Sequence, residues 1–551
     1  MKKHLILMAL FALSSFLFAQ SNYNLVWSLH QMPFQPPQEV SEVATTKSGF
    51  DTDNDGKGEF ISSYTDKDSN YVFMYEATGN DTYELVWFYK MPVAGATYIG
   101  IAVGDLDNNN KPEIVVAYPS YSDIIPLPPR LWVFEWNGVQ GENKYGNYVQ
   151  GISEPHMSYD FALTSAIDFR PYSMTIEDVD SDGHNEIIVG IRQGGRGREV
   201  LVLSVAGEVS GFGSIDIEYN LQGLSGGGLY NVTTGDLDGD GKREIYAFVW
   251  NMFSLYIIEA TAPDTYELSD SLLTLYTTDY GALDAVRTAD VNNDGIPEMY
   301  IAATEPDNTV FVISNISDVK NIEPADVKVL MNIPVTSGGK LRTLWIDDMD
   351  HDDKLSLMIA GETNGQIFDV EYKGSGDPTL ATSWDVNVIW DIWTYSGFSP
   401  TATPTISPRL FYGTPCGDMD GDGKKEYITV NYGTDFPVWS GDGYLWLLEN
   451  QTLPSDVNEI AINPNDFYLG QNFPNPFNPS TVIKYQIPES GYVTLKVFDL
   501  LGKEVATLVN GEQELGMHTV NFDAKDLTSG VYIYQLSSGS KTLNNKMLLV
   551  K

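Results

Sequence analysis

Cysteine is almost missing from this chain of 551 residues: Cys416 stands alone, so no disulfide framework can staple the fold. Basic residues are scarce as well, with 32 Lys plus Arg against 75 Asp plus Glu and a formal net charge of −43. A field of that sign repels phosphate backbones and anionic lipid, which excludes nucleic acid and acidic membrane surfaces as partners. Histidine is rarer still. Beyond His4, the chain has only His30, His156, His184, His351 and His518, no two at ligand spacing, which excludes a zinc or general-base histidine cluster. Nor is there a G-x-S-x-G elbow, an H-E-x-x-H helix or a phosphate-cradling G-x-x-x-x-G-K. After Leu5 to Phe18 no run approaches the ~20 apolar residues of a membrane helix. That first run follows Lys2 and Lys3 and ends at small Ala19, the pattern of a secretory signal peptide over residues 1–19. No cysteine stands at the cut to take a lipid anchor, so the mature chain is expected to be exported and soluble.

What the chain has in abundance is one acidic pattern. Seven nine-residue copies recur: DTDNDGKGE from Asp51, DLDNNNKPE from Asp105, DVDSDGHNE from Asp178, DLDGDGKRE from Asp236, DVNNDGIPE from Asp290, DMDHDDKLS from Asp348 and DMDGDGKKE from Asp418. Oxygens at positions 1, 3 and 5, a sharp turn at 6 and an acid at 9 are what a hard cation such as calcium requires of one short loop. The ligand sets are Asp51, Asp53, Asp55 and Glu59; Asp105, Asp107, Asn109 and Glu113; Asp178, Asp180, Asp182 and Glu186; Asp236, Asp238, Asp240 and Glu244; Asp290, Asn292, Asp294 and Glu298; Asp348, Asp350 and Asp352; and Asp418, Asp420, Asp422 and Glu426. Six or seven calcium ions are expected. In the sixth copy Asp353 replaces the turn glycine and Ser356 the last acid, so that loop should hold a weaker ion or none. In the second copy Asn110 stands at the turn, where Asn tolerates the left-handed backbone. A solitary acidic turn is commonly just a solvated hairpin, but seven aligned copies are not explained that way. An EF-hand loop would place its last acid at position 12 and be flanked by helix. The copies contain 26 of the 75 acids, and seven divalent ions would bring −43 to −29. Calcium is thus expected to do part of the stapling that disulfides do in other exported proteins.

First aspartates are spaced by 54, 73, 58, 54, 58 and 70 residues, a period suited to a four-stranded propeller blade. Each period repeats one grammar: a strand, the acidic loop, a second apolar strand such as Glu113 to Val116, then an aromatic-rich third strand such as Leu131 to Trp136. Two periods share their next turn almost verbatim, Glu76 to Leu85 and Glu259 to Leu268. The fourth strand of the first period, Tyr83-Glu84-Leu85-Val86-Trp87, is echoed by Tyr23-Asn24-Leu25-Val26-Trp27 near the start, and the seventh period stops after its third strand near Asn450. The expectation is an all-β, seven-bladed propeller over residues 20–450, with strand 23–29 forming the outer edge of the last blade. Such a clasp removes an exposed sheet edge.

The D-x-D-x-D-G-x-x-E loops between first and second strands resemble the FG-GAP or VCBS repeats of integrin α-subunit propellers and their bacterial relatives. The resemblance implies calcium loops on one face of the disc and ligand contacts more often on the other. After a linker over 451–466, residues 467–551 carry Gln471-Asn472-Phe473-Pro474-Asn475-Pro476-Phe477-Asn478-Pro479-Ser480-Thr481, Gly491 to Asp499, Gly502-Lys503-Glu504-Val505, Ser529-Gly530-Val531-Tyr532 and a terminal Lys546 to Lys551. This stretch resembles the C-terminal sorting domain of type IX secretion cargo. The resemblance implies a small immunoglobulin-like β-sandwich, contact with the type IX machinery, and a secreted or outer-membrane-surface location.

Two features outside the loops are candidate ligand contacts. Arg192, Arg196 and Arg198 cluster between second and third strands of the third period, where they would suit a carboxylated or sulfated ligand or simply form a basic turn. Trp384, Trp390, Trp393, Tyr395 and Phe398 precede the seventh period and would suit sugar stacking or the core. The functional expectation is a calcium-binding, non-enzymatic binding or adhesion protein with a glycan or surface-protein ligand. The alternative is a polysaccharide lyase or glycoside hydrolase with its site in the propeller funnel, and a purely structural surface role is the third reading.

Overall fold

The computed structural model describes residues 22–30, 41–66, 70–91, 99–119, 129–149, 152–160, 170–192, 198–211, 213–224, 228–249, 254–273, 283–304, 307–335, 339–362, 365–392, 395, 410, 412–431, 445–453, 467–469, 472, 477, 479–499, 502–513, 515–525, 527–539 and 541–549. The leader expected over 1–19 lies outside them. The chain forms two units, Met1–Pro454 and Ser455–Lys551, divided inside the stretch read as a linker.

The described residues of the first unit form seven four-stranded antiparallel sheets and one small hairpin. In the first sheet the strands Ser41–Phe50, Glu59–Asp66, Asn70–Gly79 and Thr82–Lys90 lie side by side in chain order. The third to sixth sheets repeat this meander. The second inserts the hairpin Asn147–Val149 and Ile152–Glu154 before its outer strand Met157–Tyr159. The seventh comprises Tyr412–Gly417, Glu426–Val430 and Leu445–Asn450, and its outer strand is β1 (Tyr23–Leu29), paired from Tyr23 opposite Asn450 to Leu29 opposite Leu445. First strands of successive sheets are neighbours all the way round, and Tyr412–Gly417 returns to lie beside Ser41–Phe50. This closed cycle is a β-propeller.

Burial follows from that arrangement. A second strand has neighbouring sheets on both faces, so Glu113–Ala117 is buried throughout, whereas the outer strand Thr82–Lys90 alternates between buried and exposed. First strands converge near the axis and leave little room: a Cβ on Gly235 would sit 1.8 Å from Thr288 Oγ1 of the next sheet, and one on Gly104 2.7 Å from Ile176 Cγ2. Cys416 is buried in the seventh sheet's first strand, and burial pushes its thiol pKa well above the usual range, which suits an inert core residue.

The second unit has a three-stranded sheet (Tyr468–Leu469, Ser480–Ile487, Gly516–Asp523) and a four-stranded one (Glu504–Gln513, Gly491–Phe498, Gly530–Ser538, Lys541–Leu549). Val493, Leu495, Val497, Tyr534 and Leu536 alternate inward to meet Ile483, Tyr485 and Phe522 in one core. The Asn-Pro-Phe-rich run earns its place here, since buried Asn472 donates its backbone N–H to Tyr534 Oη at 2.8 Å and Phe477 is 2% exposed.

Candidate metal centres

All seven acidic copies connect the first strand of a sheet to its second, and all seven adopt one backbone. The residue at position 6 is left-handed in every case, at φ 91° for Gly56 and Gly183, 89° for Gly241, 84° for Gly295 and 93° for Gly423, but also 61° for Asn110 and 63° for Asp353. The N–H at that position donates to the position 1 carboxylate in each loop: Gly56 to Asp51, Asn110 to Asp105, Gly183 to Asp178, Gly241 to Asp236, Gly295 to Asp290, Asp353 to Asp348 and Gly423 to Asp418, over 2.7 to 3.1 Å. The position 7 N–H donates to the position 5 side chain, from Lys57 on Asp55 to Lys424 on Asp422. The sixth loop therefore keeps the shared turn despite its Asp353. Position 4 is also left-handed, at Asn54, Asn108, Ser181, Gly239, Asn293, His351 and Gly421, a requirement that the alignment of the copies displays as Asn, Gly, Ser and His.

The acid at position 9 begins the second strand and is carried into the interior with it. Glu59, Glu113 and Glu426 are fully buried, and Glu186, Glu244 and Glu298 are at most 3% exposed. One oxygen of each accepts the position 2 N–H, as Thr52 donates to Glu59 at 2.9 Å and Met419 to Glu426 at 2.8 Å. The other oxygen, Oε1, has no hydrogen-bond partner in Glu59, Glu113 and Glu426. Without an ion, burial pushes these carboxyls up to about 9 for Glu59, Glu113 and Glu426, about 8 for Glu186 and about 7 for Glu244 and Glu298, with the loop aspartates adding to the effect. Ligand atoms of Asp236, Asp238, Asp240 and Glu244 lie within 4.8 Å of one another, as do those of Asp418, Asp420, Asp422 and Glu426, and of the trios Asp51, Asp53, Glu59 and Asp105, Asp107, Glu113. An unpaired buried carboxylate oxygen facing two or three further carboxylates is costly unless a cation sits among them, and an all-oxygen donor set fits a hard one.

Two features of these centres lie beyond the nine-residue copies. First, position 3 reaches the next sheet around the ring. Asp107 accepts the N–H of Val209 at 2.7 Å, Asp180 that of Asp264 at 2.6 Å, Asp238 that of Val319 at 3.1 Å and Asp420 that of Asp81 at 2.7 Å, while Asp53 accepts from Asn143 Nδ2 at 3.0 Å. Each of these five loops thereby joins its own sheet to its neighbour. Second, Glu59, Glu113, Ser356 and Glu426 stand beside Glu76, Glu135, Glu371 and Glu449 on the third strand, and Glu244 and Glu259 each lie one step beyond the Ile245–Ile258 pair. Glu76 also lies with Asp53 and Asp55 in a further oxygen cluster. These five third-strand acids meet the position 7 lysine: Lys57 to Glu76 at 3.6 Å, Lys111 to Glu135 at 3.3 Å, Lys242 to Glu259 at 3.7 Å, Lys354 to Glu371 at 3.7 Å and Lys424 to Glu449 at 2.7 Å. In the fifth sheet Ser314 faces Glu298, and position 7 is Ile296. In the third, position 7 is His184, and the strand position one beyond Leu203 is Ser204. A lysine thus accompanies each third-strand glutamate, an adjustment of local charge visible in the sequence once strand register is known.

The other candidates are placed differently. Arg192 lies over the Tyr172 ring at 5.4 Å and Arg198 donates to the Leu224 carbonyl at 3.2 Å, while Arg196 lies outside the described residues. Trp384 and Trp390 are buried, Tyr395 packs on Trp390 with ring centroids 4.9 Å apart, and Trp393 and Phe398 lie outside the described residues.

Residues 51–116, spanning the first two loops, match the FG-GAP-like repeat family, and residues 471–551 match the secretion system C-terminal sorting domain family. The chain carries an FG-GAP-like repeat and a type IX sorting domain. The sorting domain marks it for export by type IX secretion to the cell surface or beyond, and among the described residues no helix is long and apolar enough to cross a membrane. No curated protein matches the sequence significantly. Among solved structures, the fold is similar to PorZ, an essential surface component of the type-IX secretion system of Porphyromonas gingivalis, at 13% identity and a TM-score of 0.38 over 92% of this chain. The chain spans 59% of that protein's length. It is also similar to the periplasmic gluconolactonase PpgL of Pseudomonas aeruginosa, at 10% identity and a TM-score of 0.36 over 63% of this chain and 95% of that one. A Chaetomium thermophilum Polycomb Repressive Complex 2 chain aligns at 10% identity and a TM-score of 0.44, over 78% of this chain and 98% of that one. Likeness at this level says nothing about activity.

Proposed function

We propose that the exported propeller is a calcium-binding, non-enzymatic binding protein, in which each ion ties a sheet to its own loop and, in five loops, through position 3 to the next sheet. Positions 1, 3, 5 and 9 supply side-chain oxygens, with the position 7 carbonyl completing the set. The carrying observation is the buried Glu at position 9 with an unpaired oxygen facing the loop aspartates. The sixth loop has no such acid and takes the weakest ion. Because cation ligation accounts for the placement of these acids, none of them is assigned to catalysis.

Metal analysis of the purified protein after dialysis against millimolar calcium is expected to find six or seven ions. Glu426→Gln should remove one ion from that total and leave the others; an unchanged total would overturn the assignment of the loops. Export is tested separately by truncation after Pro454. Without the sorting domain the propeller is expected to accumulate in the periplasm, and its appearance at normal levels outside the cell would contradict the role given to residues 471–551.

A further inference from the structure

At the centre of the ring the first strands of six of the seven sheets enclose a cavity of about 320 Å³. Its lining reverses the charge balance of the chain: Lys47, Arg243, Arg287 and Arg342 face it together with one acid, Glu177. Glu177 is already engaged, since it pairs with Arg243 and accepts from Thr234 Oγ1 at 2.5 Å. Lys47 and Arg287 meet no carboxylate among the described residues. Lys47 donates to the Met174 carbonyl at 3.2 Å, and Arg287 donates to the Val286 carbonyl at 2.7 Å with its guanidinium held 4.2 Å from the centroid of Trp345. Both keep part of their surface open to the cavity. Thr45, 4% exposed on the same wall, has no hydrogen-bond partner for Oγ1, and Thr233 adds a second hydroxyl, while those of Thr46 and Ser173 are held by Ser62 and by Asn231 and Val232.

Two cations close enough to disfavour each other, inside a protein with a large surplus of acids, are destabilising unless something negative joins them. Burial, with the charge of Arg287 adding to it, pulls Lys47 down to about 8. Carboxylates abound elsewhere in the chain, so their scarcity here reserves the site for an external anion. A guanidinium fixed on an indole face is preorganised for a carboxylate or sulfate, and the surrounding hydroxyls suit a polyhydroxylated body. The volume is in the range of small-molecule sites.

We infer that the axial cavity binds an acidic saccharide unit, its carboxylate or sulfate held between Lys47 and Arg287 and its hydroxyls met by the threonine wall. The inference deepens the reading of the propeller as a binding module and is independent of whether the loops hold calcium.

Calorimetric titration of the full, calcium-loaded protein with galacturonate, N-acetylglucosamine 6-sulfate, glucose and inorganic sulfate tests it. One or both sugar acids should bind saturably and glucose should not. Lys47→Met and Arg287→Met should each weaken binding roughly tenfold or more, while Lys47→Arg retains it. Lys47→Met should also raise the melting temperature of the ligand-free protein by removing a buried like charge, which separates loss of a site from loss of the fold. Oligogalacturonate in place of galacturonate shows whether the occupant is a free acid or a chain end. Silence with both sugar acids, or binding that survives both Met substitutions, overturns the site; sulfate ion binding as tightly as the sugars overturns the saccharide assignment. Metal content and calcium-dependent melting report on the loops alone, so failure here leaves those results readable.

Discussion

Chelating divalent ions from the purified protein should lower its melting temperature by on the order of 10 °C. Extracellular calcium modules bind with dissociation constants of about 0.1 to 1 mM, and at tenfold excess each ion adds ~1.4 kcal/mol to the folded state. Six such ions contribute roughly 8 kcal/mol, and a propeller of this size shifts by about 1 °C per kcal/mol. The ions would act at the junctions between sheets, because position 3 of five loops makes contact with the next sheet and the ion would hold that carboxylate in place. The pH dependence has a definite sign. In the ion-free protein the buried Glu59, Glu113 and Glu426 are raised to about 9 and Glu186 to about 8, above the value of an unfolded glutamate. Raised carboxyls stabilise the folded state below the unfolded pKa, near 4.3, and that contribution is lost as pH rises through the folded values. Chelated protein should therefore melt at a higher temperature at pH 5 than at pH 9. Calcium displaces the same protons, so the gain on adding it should be larger at pH 9. Differential scanning calorimetry with calcium or chelator at the two pH values decides both points; equal melting with and without the ion would refute the metal assignment.

Deleting β1 should disrupt the ring more severely than any loop substitution. Its backbone pairs with Leu445–Asn450 over its whole length, so deletion leaves an unpaired edge on a strand that is buried throughout, an invitation to aggregate. The strand also spans three sheets. Trp27 packs on Phe60, Tyr75 and Tyr83 of the first sheet with ring centroids 5.2 to 5.8 Å apart, and Tyr23 donates its hydroxyl to Asp369 of the sixth at 3.2 Å. Trp27→Ala isolates the packing part of this clasp and is expected to cost about 3 kcal/mol. Protein lacking residues 22–30 should be recovered largely as aggregate, and Trp27→Ala as folded protein with a reduced urea midpoint. A soluble deletion variant with an unaltered midpoint would show that the ring closes by other means.

The loops were legible because their chemistry is local. A nine-residue turn that must present oxygens and adopt a left-handed backbone at set positions leaves the same mark wherever it occurs, even where Asn110 and Asp353 replace glycine. Strand grammar was legible for the same reason, and the echo of Tyr83 to Trp87 in Tyr23 to Trp27 pointed to the outer strand of the seventh sheet. The Asn-Pro-Phe run of the sorting domain likewise carries its identity in sequence order.

Apart from that one strand, what the sequence hid was the register of strands and the contacts between sheets. Glu76 and Glu449 look like ordinary strand residues until register sets them beside Glu59 and Glu426. Asp420 reads as one more ligand until the ring brings the N–H of Asp81, 339 residues away, onto its carboxylate. Arg192, Arg196 and Arg198 stood out because they fall within seven residues of one another, while Lys47 and Arg287, 240 positions apart, line one cavity only because first strands converge on one axis. Short-range turn chemistry and strand patterning are properties of a few neighbouring residues and belong to the sequence alone. Pairing of charges across a closed circle depends on register and closure, which exist only once the whole chain has packed.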